Sequence, residues 1–219
     1  MDSAALPEKG DKRRVRQAPK RARYDRDSLD QVLDACAIGH VSFSDKGWPQ
    51  SVPTAIARIG DFLYLHGHPK SRLYKILADG ERVCVSVCRV DALVKARSAF
   101  HCSMNYRSAV VFGCGELVND EEKRQLLDQF TEKLIPGSLN DYRPHLAKEL
   151  KGTVLVRIAL DDFSVKIRTG DPVDDDEDLN LPHWAGIIPI KSQYGEPLAA
   201  DNLLPDIQPG STLLAGVTP

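Results

Sequence analysis

Between Phe62 and Lys75 the hydrophobic positions change period. Phe62, Tyr64 and His66 alternate with Leu63, Leu65 and Gly67, the two-residue repeat of a strand; Leu73, Ile76 and Leu77 then recur at helical spacing until Asp79 and Gly80. His68, Pro69 and Lys70 make the break, and Ser71 is placed to cap the helix. Similar alternation predicts strands over 40–44, 50–58 and 82–90, a long one entered at Tyr106, and two more over 153–158 and 163–169. Helical spacing predicts a helix capped by Asp27 and Ser28 that buries Leu29, Val32, Leu33 and Cys36. It predicts another, capped by Asn119 with Glu122, that buries Leu126, Leu127, Phe130 and Leu134 before Pro136 and Gly137. A shorter helix is expected over 143–150. Short strands joined by short turns, with few helices, predict a mainly β fold with flanking helices, closed as a barrel.

Composition narrows the class. A chain of 219 residues with 42% hydrophobic residues and a net charge of −2 suits one soluble domain with extended ends. The charge is uneven: residues 1–23 hold eight Lys or Arg against three acids, and 171–178 hold six acids. The expected organisation is a basic flexible tail over 1–22, a single domain over 23–170, and an acidic linker with an extended C-terminal strap over 171–219. The basic tail is followed by no helix-turn-helix, zinc finger or aromatic-interleaved stripe, so no nucleic-acid partner is expected. No apolar run has membrane-helix length and no hydrophobic leader opens the chain, so the expectation is a cytoplasmic protein without a membrane partner. Five cysteines without a CxxC pair read as reduced, buried small residues.

The candidate chemistry begins at the same break. A strand that ends in a polar turn and opens a helix gathers free N–H groups, the Ser71 hydroxyl and the cations Lys70, Arg72 and Lys75, which suits a phosphate. A plain strand-to-helix connection with solvated cations is the competing reading. His66, His68 and His101 lack a companion carboxylate or cysteine at metal-ligand spacing, so no metal is expected. A nucleophile elbow, a P-loop and GxGxxG are all absent, and no catalytic residue stands out.

Three stretches, VPTAIARIGDFLYLHG, SRLYKILADGERVCVSV and SAFHCSMNYRSAVVFGCGELV, together resemble the pyridoxamine 5′-phosphate oxidase-like flavoproteins, on the branch with the nitroimidazole-resistance proteins. The resemblance spans roughly residues 24–190. It implies a dimeric six-stranded split β-barrel that binds FMN. The flavin ring would lie along Pro53, Thr54 and Ala55, the ribityl chain beside Leu65, His66 and Gly67, and the phosphate at Ser71, Arg72 and Lys75. A second subunit would complete the pocket with Asn105, Tyr106, Arg107 and Ser108, and Trp184 could pack on the ring. Leu73 stands where the family has a lysine, and the Arg-x-His run that grips vitamin B6 in the biosynthetic oxidase is missing. The implied function is an FMN-dependent oxidoreductase, a homodimer, acting on a small molecule, with a nitro-aromatic or other conjugated compound as a candidate. The alternative is a non-enzymatic flavin or haem carrier or a ligand sensor.

Overall fold

The computed structural model describes residues 7–139 and 141–213. The ends of the expected tail and strap, 1–6 and 214–219, lie outside the described residues. Among the described residues, eleven strands and four α-helices follow in the order β1 (Ala22–Arg23), α1 (Arg26–Asp34), β2 (Ile38–Asp45), β3 (Trp48–Ala55), β4 (Ala57–Ile59), β5 (Phe62–Gly67), α2 (Arg72–Ala78), β6 (Arg82–Lys95), β7 (Ser103–Cys114), β8 (Glu116–Leu117), α3 (Asp120–Leu134), α4 (Ala147–Gly152), β9 (Val154–Ala159), β10 (Phe163–Arg168) and β11 (Gly186–Pro189). One sheet runs β1-β10-β7-β6-β2-β3, with β11 also on β6, and the other runs β4-β5-β9-β8.

The expectation of six strands is therefore corrected. The predicted strand 50–58 breaks at Ile56, a core residue, where the chain leaves one sheet as β3 and enters the other as β4. The three short strands β1, β8 and β11 carry too few residues to show a period. Segment 92–100, to which the sequence pattern assigns no element, contains the last four residues of β6. A register shift against β7 falls between Val90 and Ala92, and beyond the three residues of β6 that pair with β2 the free edge receives β11 antiparallel along Ala92–Lys95.

Side-chain alternation builds the core. Val83, Val85 and Val87 of β6, Ala109 and Val111 of β7, Leu63 and Leu65 of β5, and Val156 and Ile158 of β9 face inward, with Leu29, Val32 and Leu33 of α1 packed among them. A second cluster, Tyr64, Leu127, Phe130 and Leu155, seats α3 on the outside of the smaller sheet. The β2–β3 hairpin closes through Lys46 and Gly47, both with positive φ, as a two-residue turn requires. The cap of α1 is Asp25 and not Asp27 or Ser28: its carboxylate accepts from the Ser28 N–H at 2.8 Å. Asn119 caps α3 as predicted, accepting from the Glu122 N–H at 2.9 Å.

The basic stretch after residue 6 lies on the barrel. Lys12 and Arg13 pair with Asp162, and β1 adds to the edge of β10. The acidic stretch is fastened as well: the Asp174 carboxylate, almost fully enclosed, accepts from Arg97 N at 2.7 Å and Nη1 at 2.8 Å. Cys88, Cys102 and Cys114 are exposed, against the expectation of burial, because they fall on the outward face of the sheet or in turns. Among the described residues no helix is long and apolar enough to cross a membrane.

Candidate functional site

Strand β3 forms a free sheet edge. Ile56 N donates to Ala37 O at 3.0 Å, so with the Ile38–Ala55 register the hydrogen-bonded pairs are Gly39–Thr54, Val41–Val52 and Phe43–Gln50. Residues 49, 51, 53 and 55 consequently turn their backbone groups outward. Pro49 and Pro53 fall at those positions, where a missing N–H breaks no ladder bond. What remains at the end of the edge is the Pro53 carbonyl and the N–H and carbonyl of Ala55, a donor set between acceptors of the kind a flavin's pyrimidine edge can pair with.

Tyr74 of α2 ties this edge to β5. Its hydroxyl donates to the His66 carbonyl, so the Thr54 hydroxyl, 3.2 Å away, donates to the phenol oxygen. Burial pushes the Tyr74 phenol up, with the Thr54 bond opposing it, and keeps it neutral. Gly67 has room for this arrangement only because it lacks a side chain: a Cβ there would lie 2.7 Å from Tyr74 Cζ.

The turn before α2 is built by His68, whose carbonyl accepts from Ser71 N at 2.9 Å and whose Nδ1 accepts from Lys70 N at 3.1 Å. The Ser71 side chain makes no capping bond, so the N–H groups of Arg72, Leu73 and Tyr74 have no partner among the described residues. Arg72 crosses to the β2–β3 hairpin, placing Nη1 3.1 Å from Asp45 and Nη2 3.0 Å from Gln50 Oε1. Leu73 is buried in the barrel core, so no cation could occupy the position where the family carries a lysine. Lys70 and Lys75 are exposed on either side. Gln50 and Tyr74 joined this cluster only in three dimensions, because nothing in their local sequence distinguishes them from ordinary strand and helix residues.

The remaining residues expected at the site sort differently. Leu65 is fully buried and contributes backbone alone. His66 packs edge-on against Phe130, with ring centres 4.6 Å apart; burial lowers its pKa, and neither ring nitrogen has a partner among the described residues. Asn105, Tyr106, Arg107 and Ser108 lie on β7, which β6 and β2 separate from β3, so one chain does not bring them to the α2 turn. Asn105 is buried against Arg168 and Gly170, and Ser108 donates to Lys166 O at 3.3 Å. Trp184 is largely exposed and stands over Gly186 beside β6.

At the barrel mouth, beyond the packed valines, the inward face turns charged. Arg89 and Arg107 are cross-strand neighbours there and, with Arg58, Lys133 and Cys36, line a cavity of about 420 Å³. Arg107 is bidentate to Asp91 at 2.8 and 3.0 Å, and Arg58 meets Asp34 at 2.5 Å and Asp30 at 3.2 Å. Burial raises the Cys36 thiol, which keeps it protonated.

Comparison with known proteins agrees with this architecture. A family model described as pyridoxamine 5′-phosphate oxidase matches residues 25–167. The structure of the FAD and heme binding protein from Mycobacterium smegmatis is 36% identical, covering 88% of this chain and 95% of its own, with a TM-score of 0.85. The flavocytochrome Anf3 from Azotobacter vinelandii is 37% identical, covering 95% of this chain and 98% of its own, with a TM-score of 0.87. A Bacteroides thetaiotaomicron protein named for 5-nitroimidazole antibiotic resistance shares the fold at 22% identity, over 67% of this chain and 86% of its own, with a TM-score of 0.57. No curated protein matches. With the family model spanning the barrel and two relatives more than a third identical over nearly all of their length, this chain belongs to the pyridoxamine 5′-phosphate oxidase-like split-barrel family.

Proposed function

We propose that this chain is a flavin-binding redox protein whose cofactor is FAD, held along the free edge of β3 with its ribityl phosphate at the turn that opens α2. The observation that carries this is the agreement between two independent things. The family match covers the barrel, and the Pro-marked free edge of β3 lies beside an uncapped turn bearing Ser71 and Arg72. FAD is favoured over the FMN of the sequence-based expectation because the M. smegmatis relative is named for FAD. When bound, the flavin supplies hydride or electron transfer. The chain's part is to pair the ring's polar edge through Pro53 and Ala55, to fix β3 against β5 through Thr54 and Tyr74, and to neutralise the phosphate with Arg72, Lys70 and Lys75. The nitro-aromatic substrate draws no support from a relative that shares only the fold.

A haem as second group is a further reading, supported by relatives named as heme binding and as a flavocytochrome. Of the three histidines His66, His68 and His101, His66 is the one left unpartnered, and burial favours its neutral form, whereas His68 Nδ1 is used by Lys70 N and His101 by Asp175. A homodimer is supported by the C-terminal strap, which leaves Ile190, Tyr194, Leu198, Leu204 and Ile207 exposed along its length.

Extraction and chromatography of the cofactor from purified protein should give FAD. FMN alone would return the reading to the mononucleotide, and protein that takes up neither would end it. Oxidation of NADH or NADPH with an acceptor separates an enzyme from a carrier, and hemin titration of His66→Ala, compared with the parent protein for its Soret band, tests the haem. Sedimentation tests the dimer.

A further inference from the structure

A small pocket of about 200 Å³ lies at the other end of the large sheet, where the N-terminal segment, the end of β10 and the turn before β7 meet. Arg168, the last residue of β10, is 7% exposed and reaches into it. Its Nη1 donates to Asn105 Oδ1, and that is its one hydrogen bond among the described residues, although a guanidinium carries five N–H groups. Arg21 lines the same pocket from the segment that leads into β1. No carboxylate lines the pocket, and neither arginine has one within salt-bridge reach among the described residues.

Two acids of the adjoining stretch have other partners. Asp174 is taken by Arg97, and Asp175 contacts His101 Nε2 at 3.0 Å. His101, a wall of the pocket, is raised by that contact and so leans towards its cationic form. Burial first, and then the charge of Arg21, pull the Arg168 guanidinium below its ordinary value. Arg168 therefore faces a second cation with a single hydrogen bond from its guanidinium, and its remaining donors are open to the pocket. A tetrahedral oxyanion would accept from both forks and neutralise both charges, with the Ser103 hydroxyl as a further lining donor.

We propose that Arg21 and Arg168 form a binding site for a phosphate-sized oxyanion, either free or borne by a nucleotide, distinct from the turn at α2. The site uses the basic N-terminal segment, to which the flavin reading assigns no role, and does not depend on that reading.

Calorimetric titration of the full-length protein with sodium phosphate, against sodium chloride of equal ionic strength, tests it. Wild type should bind saturably. Arg21→Gln, a substitution at a half-buried site outside the core, should weaken phosphate binding about 10- to 150-fold, the equivalent of a lost charge-assisted contact, when measured in an Arg72→Ala background that silences the α2 turn, while Lys148→Gln, exposed on α4, should leave it unchanged. In the Arg72→Ala background, absence of saturable binding overturns the proposal, as does binding that survives Arg21→Gln. FAD, FMN and riboflavin titrations of Arg21→Gln then identify the source. A loss confined to the phosphorylated flavins assigns the oxyanion to a nucleotide, and unchanged flavin affinities assign it to a free anion; either result keeps the site.

Discussion

Replacing Gly67 by alanine puts the account of the flavin bed under direct strain. The added Cβ would stand 2.7 Å from Tyr74 Cζ, 2.8 Å from Cδ2 and closer still to Cε2, all inside van der Waals contact. The ring cannot swing aside freely, because it is buried in the core and its hydroxyl is held by Thr54 and the His66 carbonyl. Overpacking of this kind costs about 1–3 kcal/mol, and moving the ring loses a hydrogen bond of about 0.5–1.5 kcal/mol. The expected destabilisation is therefore roughly 2–4 kcal/mol, which for a chain of this length lowers Tm by about 4–16 °C. Thermal unfolding by circular dichroism measures it, and a double-mutant cycle isolates its cause. In a Tyr74→Leu background the obstructing ring is gone, so the same Gly67→Ala change should cost less than about 1 kcal/mol. Equal costs in the two backgrounds, or a negligible cost in the parent protein, would refute the reasoning that Gly67 is present to admit the Tyr74 ring.

Arg72→Ala should weaken FAD and FMN about 10- to 150-fold, by loss of a charge-assisted phosphate contact, and leave riboflavin nearly unaffected, as fluorescence titration would show. The two histidines should give opposite pH signatures. His66 is lowered by burial, so the unfolded chain binds its proton more readily, and stability should fall as pH drops through about 6.5; in His66→Gln the fall should be shallower. His101 is raised by Asp175, so its contribution is complete below about 6.5 and lost as pH rises through the folded value, and His101→Gln should remove that loss. Thermal scans across pH 5–8 read both. Asp174→Ala should free the acidic segment from Arg97 and speed limited proteolysis between residues 175 and 200; an unchanged cleavage rate would mean that β11 alone fastens the strap.

Much of the barrel was legible because burial imposes a period. Leu63 and Leu65, and Val83, Val85 and Val87, alternate since each strand has one face in a shared core. The strand-to-helix break at residues 68–71 was legible for the same reason, as was the cap at Asn119, whose chemistry is local. What the pattern could not carry was pairing. Strand β11 runs through Gly186–Pro189 with nothing periodic about it and exists because β6 outruns its pairing with β2 and leaves an edge open at Ala92–Lys95. Asp25 was overlooked as the α1 cap because Asp27 and Ser28 offer the same chemistry two and three residues later, and only the path of the chain decides among them. At the site, Ser71 and Arg72 could be read from their neighbours in sequence, whereas Gln50 and Tyr74 acquire a role only when the hairpin and α2 come together. Arg168 had no distinguishing context at all: as a lone cation at a strand end it reads as solvated, and its burial against Asn105 is a tertiary fact.

Titration of flavin-free protein with FAD, followed by quenching of flavin fluorescence, tests the central claim most directly. The account predicts saturable binding stoichiometric with the chain, tighter for FAD than for riboflavin, and weakened by Arg72→Ala. Absence of saturable binding of FAD and FMN alike, by protein whose thermal transition shows it to be folded, would contradict it.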